Sequence, residues 1–245
     1  MSSFPERTRL CALAILLGAV SAFAGIGLLK LIHLFTNLFF YGAFSFSERA
    51  PGPATIGWGA IFVPAAGGLI IGLIARFGCP GIRGHGIPEA MQGVMANQSR
   101  IPLKTALLKP LCTALSIGTG GPFGAEGPVI ATGGAIGSLV GQWLPNSAME
   151  RKILLAAGAA AGMTAVFGTP LAGVLLAVEL LLFEFSPRSL LPVAMAAGAA
   201  MAVRGWIGEP FPMLPLPMDH APGLIIAIGA VVVGITSGLA SVGIT

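Results

Sequence analysis

The chain alternates between long uncharged apolar runs and short segments that are rich in glycine, proline and charge. The first apolar run extends from Leu10 to Leu29, and about 20 residues are enough to span the hydrocarbon core of a bilayer. It continues as residues 30–46, whose phenylalanines are typical of a membrane interface. Ala50-Pro51-Gly52-Pro53 is predicted to break this helix. A second apolar run then covers residues 54–75 and is interrupted by Pro64 and by two glycines.

Three further apolar runs predict helices over residues 105–117, 153–178 and 190–203. The middle run is expected to break near Gly168-Thr169-Pro170. Its many small residues allow close helix packing, so it should lie in the protein interior. Residues 145–152 form a polar turn before it, and residues 208–222 form a proline-rich loop.

A weak internal repeat marks the end of the chain. Gly229-Ala230-Val231 with Gly238-Leu239 matches Gly18-Ala19-Val20 with Gly27-Leu28 at one fixed offset. Transporters are often built from internal repeats. We therefore expect a single membrane domain, 1–245, with a first repeat in 1–215 and the start of a second in 221–245.

Composition places the chain among polytopic membrane proteins. Hydrophobic residues make up 55% and charged residues 9%, against about 25% charged in soluble domains. The segment 76–104 carries four basic residues and one glutamate, which predicts a cytoplasmic location. Two crossings then put the N-terminus on the same side of the cell membrane.

The net charge of +4 comes from scattered basic residues, a pattern typical of topology signals rather than of a nucleic-acid interface. Cys11, Cys79 and Cys112 are far apart and lack a metal-ligand spacing. The sequence predicts membrane lipid as its surroundings and no nucleic acid, metal or cofactor.

One carboxylate, Glu126, lies inside the Gly/Pro-rich run 118–137. Gly127-Pro128 predicts a helix start, where unpaired N–H groups attract anions. Glu126 could itself occupy that site when no other anion does, and so act as a gate. The alternative is a carboxylate that only caps a helix.

A second loop, Gly84-His85-Gly86-Ile87-Pro88-Glu89, repeats this design before a helix-compatible run through Met95. Lys109 lies within an apolar run, which makes it a functional candidate. A structural pairing of Lys109 is the equal alternative.

These loops resemble motifs of the CLC family of chloride channels and proton/chloride antiporters. Gly84 to Glu89 resembles the GSGIP motif, and Gly124-Ala125-Glu126-Gly127-Pro128 resembles G(K/R)EGP. Gly158 to Gly162, with Pro170-Leu171-Ala172-Gly173 and Glu179, is similar to the GAAAG and PLAG..E region. Three motifs in the right order make the resemblance specific.

The resemblance implies an all-α membrane protein with an inverted-repeat architecture and broken, re-entrant helices, of which this chain covers about the first half. It implies a chloride-type anion as substrate, one pore per protomer and a homodimer. It also implies an anion site formed by six residues, with Glu126 as the gate: His85, Gly86, Ile87, Ala125, Glu126 and Gly127.

Three departures from the family pattern change the expectation. His85 replaces the motif serine, either as a direct donor to the anion or with its side chain turned away. Leu180 replaces the second, proton-handling glutamate of the antiporters, which puts proton coupling in doubt and favours a buried structural hydrogen bond for Glu179. The GxFxP helix and the pore tyrosine of the second half do not occur in these residues.

The alternatives are a proton/anion antiporter with another relay, and a non-conducting half that needs a partner segment. An intramembrane enzyme could use Glu126 and His85 as an acid/base pair. It lacks the HExxH and GxSxG signatures, so we expect no enzyme. Gly133-Gly134 and Gly137 are expected to be packing positions rather than ligands.

Overall fold

A computed structural model of the chain describes residues 4–49, 56–84, 86–144, 147–208 and 223–244, and the regular structure in these ranges is entirely helical. The predicted break at Ala50–Pro53, His85, and the proline-rich loop beyond Gly208 lie outside the described residues. The α-helices are α1 Phe4–Tyr41, α2 Val63–Leu73, α3 Ile87–Ala96, α4 Leu103–Gly118, α5 Glu126–Trp143, α6 Ala148–Phe167, α7 Pro170–Ala177, α8 Pro187–Ile207 and α9 Leu224–Ile244.

Three helical segments in the described ranges are long and apolar enough to cross a membrane: Thr8–Tyr41, Gly57–Gly78 and Pro187–Ile207. The predicted continuation of the first helix past Leu29 is confirmed, but α1 ends at Tyr41, before the predicted break, because Gly42 has a left-handed φ of +62°. A glycine in this conformation is a common helix terminator.

The sequence suggested that Pro64 interrupts the second apolar run, but the structure does not show this. A 3₁₀ turn, Gly57–Phe62, precedes α2, and Pro64 lies in the first turn of α2. Proline is tolerated there because its missing N–H would have no intrahelical acceptor. Gly67 instead marks a close approach, since an added Cβ would lie 2.1 Å from Thr119 Oγ1.

Helix α6 lies at the centre of the helix packing, because it contacts four other helices: α1, α5, α7 and α8. It begins at a capping box, in which Ser147 Oγ accepts the Glu150 N–H at 3.2 Å and Glu150 Oε2 accepts the Ser147 N–H at 2.8 Å. It ends at Gly168, which has a φ of +67°. Pro170 then starts α7. The predicted break and the interior position are both confirmed, because most α6 residues are buried.

Helices α5 and α6 touch backbone to backbone through glycines. An added Cβ at Gly133 would lie 2.1 Å from the Gly158 carbonyl oxygen, and one at Gly137 would lie 2.1 Å from the Leu154 carbonyl oxygen. The packing role predicted for these glycines is therefore confirmed. Their close approach fixes α5 against the buried helix α6.

The chain divides into two compact units, residues 1–213 and residues 214–245. The first contains α1 to α8. The second contains α9, a helix of 21 residues without a charged side chain. The internal repeat that α9 would begin stays a prediction.

Candidate anion site

Helix α3 begins in a glycine-dependent loop. Gly84 and Gly86 have φ angles of +91° and +105°, which residues with a Cβ rarely adopt. Gly86 is the N-cap of α3, and its N–H donates to Glu89 Oε2 at 2.6 Å. The sequence analysis did not predict this bond, although a glutamate three residues after the N-cap is a known signal for it.

Lys109 is placed beside the same loop. It is 8% exposed, and its Nζ lies 3.8 Å from Glu89 Oε2 and donates to the Arg83 carbonyl oxygen at 3.4 Å. Lys109 and Glu89 thus hold both ends of the segment 83–86. These contacts favour the structural pairing over a direct functional role.

Helix α5 begins at Glu126, with Pro128 in its first turn. The first helical bond is donated by the Val129 N–H to the Ala125 carbonyl oxygen at 3.0 Å. Within the described residues the N–H groups of Glu126 and Gly127 make no hydrogen bond, and at α3 the same holds for Ile87. These groups are the unpaired donors that every helix N-terminus carries.

The starts of α3 and α5 meet at Gly86 and Gly127. A Cβ added to Gly86 would lie 2.3 Å from the Gly127 carbonyl oxygen and 3.1 Å from Ala131 Cβ. Only glycine therefore fits at Gly86, both for space and for its φ angle. The sequence predicted two separate loop-to-helix starts, and the fold brings them into direct backbone contact.

A cavity of about 790 Å³ opens at this junction, and we call it the Glu126 cavity. Ile87, Glu126 and Gly127 line it, together with Ser116 and Phe123, which the sequence did not suggest. Glu126 is exposed and its carboxylate has no hydrogen-bond partner or ion pair among the described residues. No lysine or arginine among the described residues lines this cavity, so a small anion there would meet helix-start backbone and the Glu126 carboxylate rather than a full positive charge.

Other expected site residues are placed elsewhere. The half-buried Ala125 packs in an apolar cluster with Ala114, Val129 and Val166. His85 lies outside the described residues.

The buried hydrogen bond expected for Glu179 is not found, because Glu179 is exposed and makes no hydrogen bond with any described residue. It belongs to a π-helical turn, Val178–Leu182, whose buried positions are Val178, Leu181 and Leu182. Glu179 is therefore left on the outer side of that turn.

Comparison with known proteins gives a consistent family. Residues 67–245 match the family model described as voltage-gated chloride channel. The chain is 32% identical over 184 residues to the H⁺/Cl⁻ exchange transporter ClcA of Vibrio cholerae, covering 71% of this chain and 39% of the relative. It is 29% identical over 201 residues to the voltage-gated ClC-type chloride channel ClcB of Yersinia pestis, covering 79% of this chain and 47% of the relative. The chain thus spans less than half the length of these curated relatives.

Solved structures agree at the level of the fold. A slow cyanobacterial Cl⁻/H⁺ antiporter superposes with a TM-score of 0.71 at 26% identity, over 94% of this chain and 54% of that one. A CLC-type fluoride/proton antiporter gives a TM-score of 0.71 at 22% identity, over 98% of this chain and 57% of that one. The names of these relatives describe channels and exchangers, not enzymes, as the sequence predicted. From the family match and the fold we conclude that this chain is an all-α, multi-pass membrane protein of the voltage-gated chloride channel (CLC) family.

Proposed function

We propose that this chain forms part of a pathway for chloride or a similar small anion, with Glu126 as its gate. The observation that carries the proposal is the contact between the starts of α3 and α5 beside the Glu126 cavity. Two helix N-termini that converge on one cavity concentrate partial positive charge there.

Gating follows from competition for the same donors. The Glu126 carboxylate lies on the first residue of α5, next to the unpaired Gly127 N–H. When the carboxylate turns toward these donors it excludes the anion, and when it is protonated or turns away the anion can bind. Backbone amides hold an anion less firmly than a buried lysine or arginine would, which allows the ion to leave.

Proton coupling is expected to be weak or absent. Leu180 is a half-buried apolar side chain, and it offers no titratable group at the position where the antiporters of the family carry a glutamate. The alternative is an antiporter that uses another relay, such as Glu179 or Glu184. A further alternative is a half that conducts only with a partner segment.

Glu126→Gln and Glu126→Ala test the gate in protein reconstituted into liposomes. Chloride flux should persist in both variants and lose any pH dependence that the Glu126 carboxylate causes. Glu48→Gln is the matched control, because it removes the same charge from an exposed carboxylate outside the Glu126 cavity. An unchanged pH response in both Glu126 variants would contradict the gate.

The same liposomes separate the alternatives. Uphill proton movement driven by a chloride gradient would support an antiporter with another relay. Absence of any anion flux would support a half that needs a partner segment. Turnover of a small-molecule substrate by the liposomes would support an enzyme.

The remaining proposals come from the family resemblance and the charge pattern. We propose a homodimer in the cell membrane, surrounded by lipid, with the N-terminus in the cytoplasm. For His85 two roles stay open, a direct donor to the anion or a side chain turned away while loop amides bind. His85→Ser should retain flux in either case and change its pH dependence only in the first.

A further inference from the structure

A second cavity, of about 530 Å³, lies between the segment before α3, the start of α4 and the middle of α5. We call it the Arg cavity, after the two arginines that line it, Arg83 and Arg100. It shares Gly86 with the residues at the candidate anion site, but it lacks Glu126. Its volume lies in the range of sites for small organic ligands, about 300–1,000 Å³, and far above the volume of a single water, about 30 Å³.

Its charged lining is predominantly positive. Arg83, Arg100 and Lys109 face one carboxylate, Glu89, so the three cations and one anion sum to a net charge of +2. Within the described part of the chain the guanidinium groups of Arg83 and Arg100 form no hydrogen bond or ion pair. Both are exposed and therefore free to receive an anionic ligand.

The N-terminus of α4 adds backbone donors to the same cavity. Pro102, Thr105 and Ala106 line it. The first bond of α4 runs from the Ala106 N–H to the Pro102 carbonyl oxygen at 3.0 Å, and none of the three preceding N–H groups has an acceptor among the described residues. The positive end of a 16-residue helix thus lies at the cavity that Arg83 and Arg100 also line.

From this arrangement we propose that the Arg cavity binds a ligand carrying two or more phosphate groups. Arginine pairs with phosphate through two parallel N–H donors, and helix N-termini bind phosphate through backbone N–H groups. A halide ion would fill only a small part of the cavity and would balance only part of its charge. The phosphates can belong to a soluble compound or to a lipid headgroup, because basic pockets between membrane helices also bind such headgroups.

Titration calorimetry with inorganic pyrophosphate tests the site on the purified protein in nanodiscs of phosphatidylcholine. The unmodified protein should show saturable binding. Arg83→Gln with Arg100→Gln should weaken it about tenfold or more, since each lost charge-assisted hydrogen bond reduces affinity by about that factor. Arg188→Gln is the matched control, because it removes the same charge from an exposed residue that does not line the cavity.

A second variant blocks the cavity without a change of charge. Gly93 lies within α3 and lines the Arg cavity, and a Cβ added there meets no atom within 4 Å. Gly93→Leu should therefore fold, fill part of the space and weaken pyrophosphate binding. This variant keeps the proposal testable if the double arginine variant does not fold.

Nanodiscs with and without cardiolipin distinguish the two sources of phosphate. If cardiolipin reduces pyrophosphate binding in the unmodified protein, the site accepts a lipid headgroup. If cardiolipin has no effect while the variants still weaken binding, the ligand is soluble. Absence of saturable pyrophosphate binding, or equal binding in Arg83→Gln/Arg100→Gln, Gly93→Leu and the Arg188→Gln control, would overturn the proposal. These outcomes do not depend on whether Glu126 gates an anion.

Discussion

Gly86→Ala is the sharpest perturbation of the junction between α3 and α5. The φ of +105° at Gly86 costs an L-residue roughly 1–3 kcal/mol. The new Cβ would also lie 2.3 Å from the Gly127 carbonyl oxygen, whereas non-bonded heavy atoms pack at about 3.5–4.0 Å. The two helix starts must therefore separate by about 1 Å, and no rotamer change can relieve a clash with backbone.

Strain and displacement together predict a loss of about 2–6 kcal/mol in the free energy of unfolding. Anion flux should fall more than stability suggests, because the displacement moves the Ile87 and Gly127 donors apart.

Gly93→Ala is the matched control in the same helix. Gly93 has an ordinary helical conformation, and its added Cβ meets nothing within 4 Å. Alanine should stabilise α3 by up to about 1 kcal/mol. The measurements are thermal unfolding in detergent and chloride efflux from liposomes. If Gly86→Ala matched the unmodified protein in both, the close contact of the two helix starts would be refuted.

Two further predictions concern the scaffold. Gly133→Ala places a Cβ 2.1 Å from the Gly158 carbonyl oxygen and should cost about 1–3 kcal/mol of stability. Gly134→Ala is its control and should be close to neutral, because the added Cβ lies 3.5 Å from Leu155 Cδ2. Equal thermal midpoints for the two variants would contradict the proposed packing. Arg204 is 2% exposed and donates to the carbonyl oxygens of Ala165 and Val166 at the end of α6, so Arg204→Met should cost about 2–4 kcal/mol. The exposed Arg188→Met is its control, and an equally small shift in both would show that these bonds contribute little.

The sequence predicted the helix breaks that local chemistry specifies. Gly168 and Pro170 mark the end of α6 and the start of α7 because a left-handed glycine ends a helix and a proline suits a first turn. The sequence also predicted an interruption at Pro64, but Pro64 lies in the first turn of α2, where a proline is tolerated. Position within the helix, rather than residue type alone, decides what a proline does.

Contacts between distant segments could not be predicted in this way. Lys109 has its two partners, Glu89 and the Arg83 carbonyl group, some 20 residues or more away, across a helix boundary. Nothing in the periodicity of α4 indicates which of its faces meets the start of α3. The exposure of Glu179, by contrast, agrees with helical spacing, because the buried positions Val174, Val178 and Leu181 lie on the opposite face of the α7 segment.

If the two helix starts bind anions as proposed, they are unequal sites, and this difference would order the steps of permeation. At α3 the Glu89 carboxylate already occupies the Gly86 N–H at 2.6 Å, which weakens the attraction for a second anion. At α5 the N–H groups of Glu126 and Gly127 are unoccupied in the described structure, so the stronger attraction lies beside the gate. In the proposed pathway, an anion that moves from the α5 donors toward α3 would pass from a stronger to a weaker site, and weak binding at the second would allow it to leave. Under the proposed function, Glu126 would control entry to the stronger site, whereas the Glu89 carboxylate at the Gly86 N–H would weaken the second one.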